Sequence, residues 1–209
     1  MDNTEAAKGL KMRRKRLVIL FLIIGALLFA VVGYFIYWHI GYSKYAKPFL
    51  NNERLSKSTE EGNVCRVFDD ENNVSTVYEL EKGSFPSFPS TDIVQARIND
   101  DHTFDGEYTI QITYRAALDG TVFYELEYGD TKQFSETYSG YEKSFQIRFD
   151  ENMKMIKMYG NDSSNGKQTQ MPQQQIMQEL DSRKDRINST LEKYYAFFGR
   201  DNFKKPLSI

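Results

Sequence analysis

Glu107-Tyr-Thr-Ile-Gln-Ile-Thr-Tyr-Arg115 alternates without a break: Tyr108, Ile110, Ile112 and Tyr114 on one side, Thr109, Gln111, Thr113 and Arg115 on the other. Side chains of an extended chain point alternately to opposite faces, so the stretch predicts a strand with one buried face. Asp119-Gly120 follows, a dipeptide that tolerates the backbone angles of a tight hairpin. Thr121 to Tyr128 then alternates again, with Val122, Tyr124, Leu126 and Tyr128 inward.

The same reading extends both ways. Downstream, Gly129-Asp130, Ser139-Gly140 and Asp150-Glu-Asn152 read as turns. Lys143 to Asp150 places Phe145, Ile147 and Phe149 on one side, and Met153 to Tyr159 is a further strand. Upstream, Val64 to Phe68, Val74 to Leu80 and Asp92 to Ile98 are strand candidates. The last two flank Gly83 to Ser90, where Pro86 and Pro89 are incompatible with a central strand. From Pro172 the period becomes helical. Ile176, Leu180, Ile187, Leu191, Tyr194 and Phe198 form one stripe, and Gly199 is a natural stop. The expected fold is α+β: an antiparallel β-meander over about 64–160, with one long amphipathic helix over about 172–198 packed on one face.

Further upstream the chain changes character. Leu17 to Trp38 contains no charged residue, and as a helix it is about 33 Å long, enough to cross a bilayer core of roughly 30 Å. Six Lys/Arg against two Asp/Glu give residues 1–16 a charge of +4, and residues 43–209 carry 21 Lys/Arg against 27 Asp/Glu, or -6. A basic cluster before an apolar run predicts a cytoplasmic N-terminus. Tyr34, Tyr37, Trp38, Tyr42 and Tyr45 gather at the other end, where aromatic rings favour a headgroup layer. The run is too long for a cleaved signal peptide and has no A-x-A-like site before Val31. The expected organisation is a basic cytoplasmic tail (1–16), a single-pass signal-anchor helix (17–40), a stalk (41–63) and an extracytoplasmic domain (64–209). Gly25 and Gly33, and likewise Ala26 and Ala30, give small-residue spacing compatible with a homodimer through the membrane helix.

Composition excludes several chemistries. The acidic outer segment lacks the basic stripe that nucleic acid requires. Cys65 is the single cysteine, so no internal disulfide forms, and its strand context predicts a buried thiol. With His39 and His102 far apart in the chain, no zinc cluster is expected. Asn99 to Glu107 resembles the opening of a calcium loop, but the twelfth position from Asp101 is Ile112 where Glu is needed, so it reads as an acidic turn. No phosphate loop or nucleophile elbow is present. No catalytic residue, cofactor or metal is expected.

What remains is surface. The sheet face left open carries Arg115, Phe123, Glu125 and Arg148 as candidate partner-binding residues, with Phe123 as an exposed aromatic anchor. The expected function is a non-catalytic, membrane-anchored binding protein of a bacterial envelope, of the Gram-positive kind, with a protein partner. In layout it is similar to small anchored immunity proteins, a resemblance that implies a toxin outside the cell as that partner. The alternative is a structural subunit of an envelope or secretion complex.

Overall fold

The computed structural model describes residues 3–56, 59–71, 74–86, 88, 90–102, 108–135 and 138–209. It divides into two compact units, Met1–Ile40 and Gly41–Ile209. Helix α1 (Asn3–Tyr45), which supplies the first unit and ends within the second, begins inside the basic tail, whose Ala, Lys, Arg, Leu and Met are strong helix formers. Among the described residues one helix is long and apolar enough to cross a membrane, over Arg13–Tyr45. Phe21 and Phe29 are 70% and 83% exposed, and an all-round apolar helix of this kind calls for an apolar surrounding.

The second unit holds a nine-stranded antiparallel sheet in which every strand lies beside its neighbours in sequence. The strands are β1 (Thr59–Glu61), β2 (Val64–Glu71), β3 (Val74–Lys82), β4 (Asp92–Asp101), β5 (Tyr108–Ala117), β6 (Val122–Ser135), β7 (Tyr138–Asp150), β8 (Met155–Asp162) and β9 (Thr169–Gln170). The alternation in β5 to β7 fixes the register. Tyr78, Ile98, Ile112, Leu126 and Ile147 stand opposite one another across five strands, all buried. The next inner row, Leu80, Ala96, Tyr114, Tyr124 and Phe149, is buried as well. Cys65 is a buried thiol in this core.

The helical segment departs from expectation in one respect: it is two helices, α4 (Gln173–Ser182) and α5 (Lys184–Phe198). Arg183 leaves helical geometry at φ -113°, ψ 9°, its backbone N–H bonded to Leu180 and Asp181 carbonyls. The Ser182 hydroxyl also donates to the Glu179 carbonyl, a local bond that competes with helix continuation. The break lets each helix follow the sheet. α4 packs near β8 and α5 crosses β4 and β5, with all six stripe residues buried. Gly199 ends α5 at φ 80°, a backbone conformation that favours glycine.

Two further expectations are corrected. The segment expected as a polar stalk contains α2 (Lys47–Leu50) and α3 (Glu53–Ser56), and it places Ala46, Phe49 and Leu55 in the core. Phe49 packs against Tyr114, Phe198 and Phe203. An isolated apolar residue has no periodicity to reveal it. Neither Gly129-Asp130 nor Ser139-Gly140 is a turn, because β6 runs through the first to Ser135 and the second lies inside β7. The strand absorbs the irregularity with register shifts at Asp130/Thr131 and Gln133/Ser135. The acidic stretch read as a turn falls partly on residues 103–107, and the Pro-rich loop partly on 87 and 89, outside the described residues.

One buried charge ties α5 to the sheet. Asp100, 1% exposed, accepts hydrogen bonds from Thr76 (2.8 Å), Thr190 (2.7 Å) and the Lys193 ammonium (2.9 and 3.0 Å). Burial pushes its carboxyl up, but the bonds from Lys193, Thr190, Thr76 and His102 outweigh it and hold the pKa below its ordinary value.

Candidate binding face

The helices cover one face of the sheet, and the register assigns the other face its residues. One residue along from the buried row, Glu79, Arg97, Thr113, Glu125 and Arg148 stand opposite one another. Beside them, Gln95, Arg115 and Phe123 are paired in a second row. The four candidate residues therefore form one cluster. Arg148 donates to Glu125 at 2.9 Å, and Arg115 lies 3.5 Å from both Glu125 and Asp92. Both guanidiniums also sit over the Phe123 ring, 4.7 Å (Arg148) and 5.7 Å (Arg115) from its centroid.

The arrangement differs from the exposed anchor expected. Phe123 is half-buried and Glu125 is only 6% exposed, because the two long arginine side chains lie over them. Burial lifts the Asp92 carboxyl above its ordinary value, and Arg115 offsets only part of that. The Nε atoms of Arg97, Arg115 and Arg148 are buried without a hydrogen-bond partner among the described residues. Each is a donor closed off from solvent by the packing around it.

Next to this cluster lies a cavity of about 230 Å³ that alternation alone did not reveal. Its floor is two adjacent register rows: Asn99, Gln111, Glu127, Gln146 and Tyr159 in one, Thr109, Gly129, Ser144 and Asn161 in the other. Tyr141 forms a wall. Asp130 pairs with Lys143 but Thr131 pairs with Tyr141, which leaves Glu142 without an opposite residue on β6. That bulge reverses the alternation and turns Tyr141 onto the open face, over Gly129, where its hydroxyl accepts from Thr109 at 3.2 Å. A Cβ on Gly129 would collide with the ring. The Gln146 amide joins cavity to cluster, donating to Glu127 at 2.5 Å and to Glu125 at 2.8 Å. The bulge needs the cross-strand pairing to be seen, so no single-strand pattern signals this site.

Among the described residues, no group of three or more His, Cys, Asp or Glu is placed to hold a metal ion. No known protein family, curated protein or solved structure matches the chain. What the face offers is recognition chemistry: fixed cations over an aromatic ring, and a polar cavity with aromatic walls.

Proposed function

We propose that this chain is a non-catalytic, membrane-anchored binding protein that holds its sheet outside the cytoplasm and uses the sheet's open face to bind. One observation carries the reading: helices seal one face, while the other presents Arg115 and Arg148 stacked on Phe123 beside an open cavity. Arginine and aromatic side chains dominate binding energies at interfaces, and here both are already ordered, so little conformational entropy is lost on docking. The Arg115 and Arg148 side chains, 29% and 34% exposed, favour a protein partner that brings acceptors, such as carboxylates or carbonyls. The basic residues before the apolar helix support a cytoplasmic N-terminus, and a bacterial envelope of the Gram-positive kind remains the setting that fits. An immunity-type protein that captures a toxin is one form of this function.

Two experiments test it. Protease added to wall-stripped intact cells should digest the sheet domain, and protection until the membrane is broken would reverse the orientation. For the face, Arg115→Gln with Arg148→Gln is the informative pair, since reversal to Glu would set new carboxylates against buried Glu125 and unfold rather than unbind. The neutral pair should weaken capture of a protein partner from membranes about tenfold or more. Undiminished capture at equal melting temperature would move the site off this cluster.

A second reading, a structural subunit of an envelope or secretion complex, draws on the first helix. A Cβ at Gly25 or Gly33 would meet nothing within 4 Å, so both positions are free for helix packing.

A further inference from the structure

We infer that the cavity beside the arginine cluster is a subsite for a single neutral pyranose ring of a glycan. This rests on the reading that the open face is the binding surface, and it does not depend on the arginine pair. The lining decides the ligand class. Glu127 is the one formally charged side chain among the described residues lining the cavity, so an anion inside would meet its carboxylate directly, with the Lys157 ammonium only beyond the Tyr159 ring. The floor is amide, hydroxyl and carboxylate, so a purely apolar ligand would strip these groups of water and return nothing.

A sugar hydroxyl both donates and accepts, and so does each amide side chain. Asn99, Gln111 and Asn161 line the cavity with no side-chain hydrogen bond among the described residues, so their donors and acceptors face solvent. Glu127 adds acceptor positions for neighbouring hydroxyls. The Tyr141 and Tyr159 rings, 51% and 40% exposed, supply apolar surfaces for the C–H faces of a pyranose.

An organic ammonium is the close competitor, because carboxylate and tyrosine also suit a cation. Two contacts weigh against it. The Glu127 carboxylate already takes the Gln146 amide at 2.5 Å, and the Lys157 ammonium occupies a face of Tyr159, 5.2 Å from its centroid. A second cation there would face Lys157. The size also matters: about 230 Å³ lies below the roughly 300 Å³ at which drug-sized pockets begin, so one ring enters and the rest of the chain lies along the face.

The test uses the full chain in a non-glycosidic detergent, with methyl glucoside, methyl galactoside and N-acetylglucosamine as probes and tetramethylammonium as control. Saturation-transfer NMR should report at least one pyranose bound, with a Kd of about millimolar order, as expected of so small a ligand. Asn99→Ala with Gln111→Ala should weaken it about tenfold at unchanged melting temperature. If the alanine pair fails to fold, Gly129→Ala, which displaces Tyr141, gives the same reading. Silence from all three sugars, binding undiminished in the cavity variants, or transfer to tetramethylammonium alone would overturn the assignment. Silent sugars with partner capture intact would sink the glycan subsite alone. Capture undiminished in the Arg115→Gln, Arg148→Gln variant as well would sink the open-face reading.

Discussion

Tyr78, Ile98, Ile112, Leu126 and Ile147 lie one residue along their strands from Glu79, Arg97, Thr113, Glu125 and Arg148. The first row is closed over by α5 and the C-terminal tail, where Tyr124 donates to the Lys205 carbonyl at 2.7 Å and Tyr194 to the Ala96 carbonyl at 2.7 Å. The second row lies on the face opposite α4 and α5, yet Thr113 and Glu125 are 1% and 6% exposed. The same strands thus bury residues in two ways. One face is sealed by separate elements that contribute apolar contact, the other by its own arginines lying flat over a carboxylate and a ring. Burial under a helix is collective and rigid, whereas burial under a side chain can open one rotamer at a time. The first face therefore stabilises collectively, while burial on the second depends on two arginines staying stacked on Phe123.

The largest expected effect breaks the first face. Leu126 is fully buried and Leu191 is 4% exposed. Leu126→Ala or Leu191→Ala should each cost about 2–5 kcal/mol, or roughly 4–20 °C in melting temperature for a unit of this size. Calorimetry on the full chain checks it. A shift below about 2 °C in both would mean that α5 and the sheet do not share one core.

A smaller effect compares two carboxylates of similar burial, Asp100 beneath α5 and Glu125 beneath two arginines. Asp100→Asn should cost about 1–3 kcal/mol, because Lys193 loses its counter-charge and one of the two acceptor oxygens shared with the threonine hydroxyls becomes an NH2 donor. The pH dependence has a definite sign. Asp100 has a lowered carboxyl pKa, so its stabilisation is complete above the ordinary value near 3.9 and is lost as pH falls below it. The stability gap between wild type and Asp100→Asn should be flat above about pH 5 and shrink below pH 4. At the other end, burial raises the phenol pKa of Tyr114, Tyr124 and Tyr194, so stability should fall as pH rises through and above about 10. A gap that widens in acid would contradict the assignment of Asp100.

Much of the first face was legible in the sequence. Tyr108 to Tyr114 and Val122 to Tyr128 announce their inward side by alternation, and Ile176 to Phe198 by helical spacing, because burial there repeats with the period of the element. What repetition does not encode was missed. Phe49, Phe203 and Leu207 enter the core singly, from short segments with no period. Gly129-Asp130 carries a turn's composition, but the extra residue at Glu142 accommodates it as a bulge, and the same bulge builds the cavity wall. Arg115, Phe123, Glu125 and Arg148 were legible as neighbours on one face. That the arginines bury Glu125 depends on rotamers, which alternation cannot report.

The smallest effect separates the two carboxylates by their access to salt. Arg115 and Arg148 side chains are 29% and 34% exposed, so when Glu125 becomes Gln both guanidiniums can turn toward water, and the cost should be only about 0.5–1.5 kcal/mol. Screening acts on these pairs because solvent reaches them. The Debye length falls from about 10 Å at 0.1 M salt to about 3 Å at 1 M, comparable to the 2.9 Å and 3.5 Å separations of the pairs. Raising salt to 1 M should therefore reduce the Glu125→Gln penalty by a few tenths of a kcal/mol. Asp100 is 1% exposed and holds two hydroxyls as well as Lys193, so the Asp100→Asn penalty should change less. Denaturant melts of both variants at the two salt concentrations give the comparison directly. Equal salt sensitivity would show that the arginines shield Glu125 as completely as α5 shields Asp100. The open face would then be a second sealed surface, and docking on it would first require those arginines to be displaced.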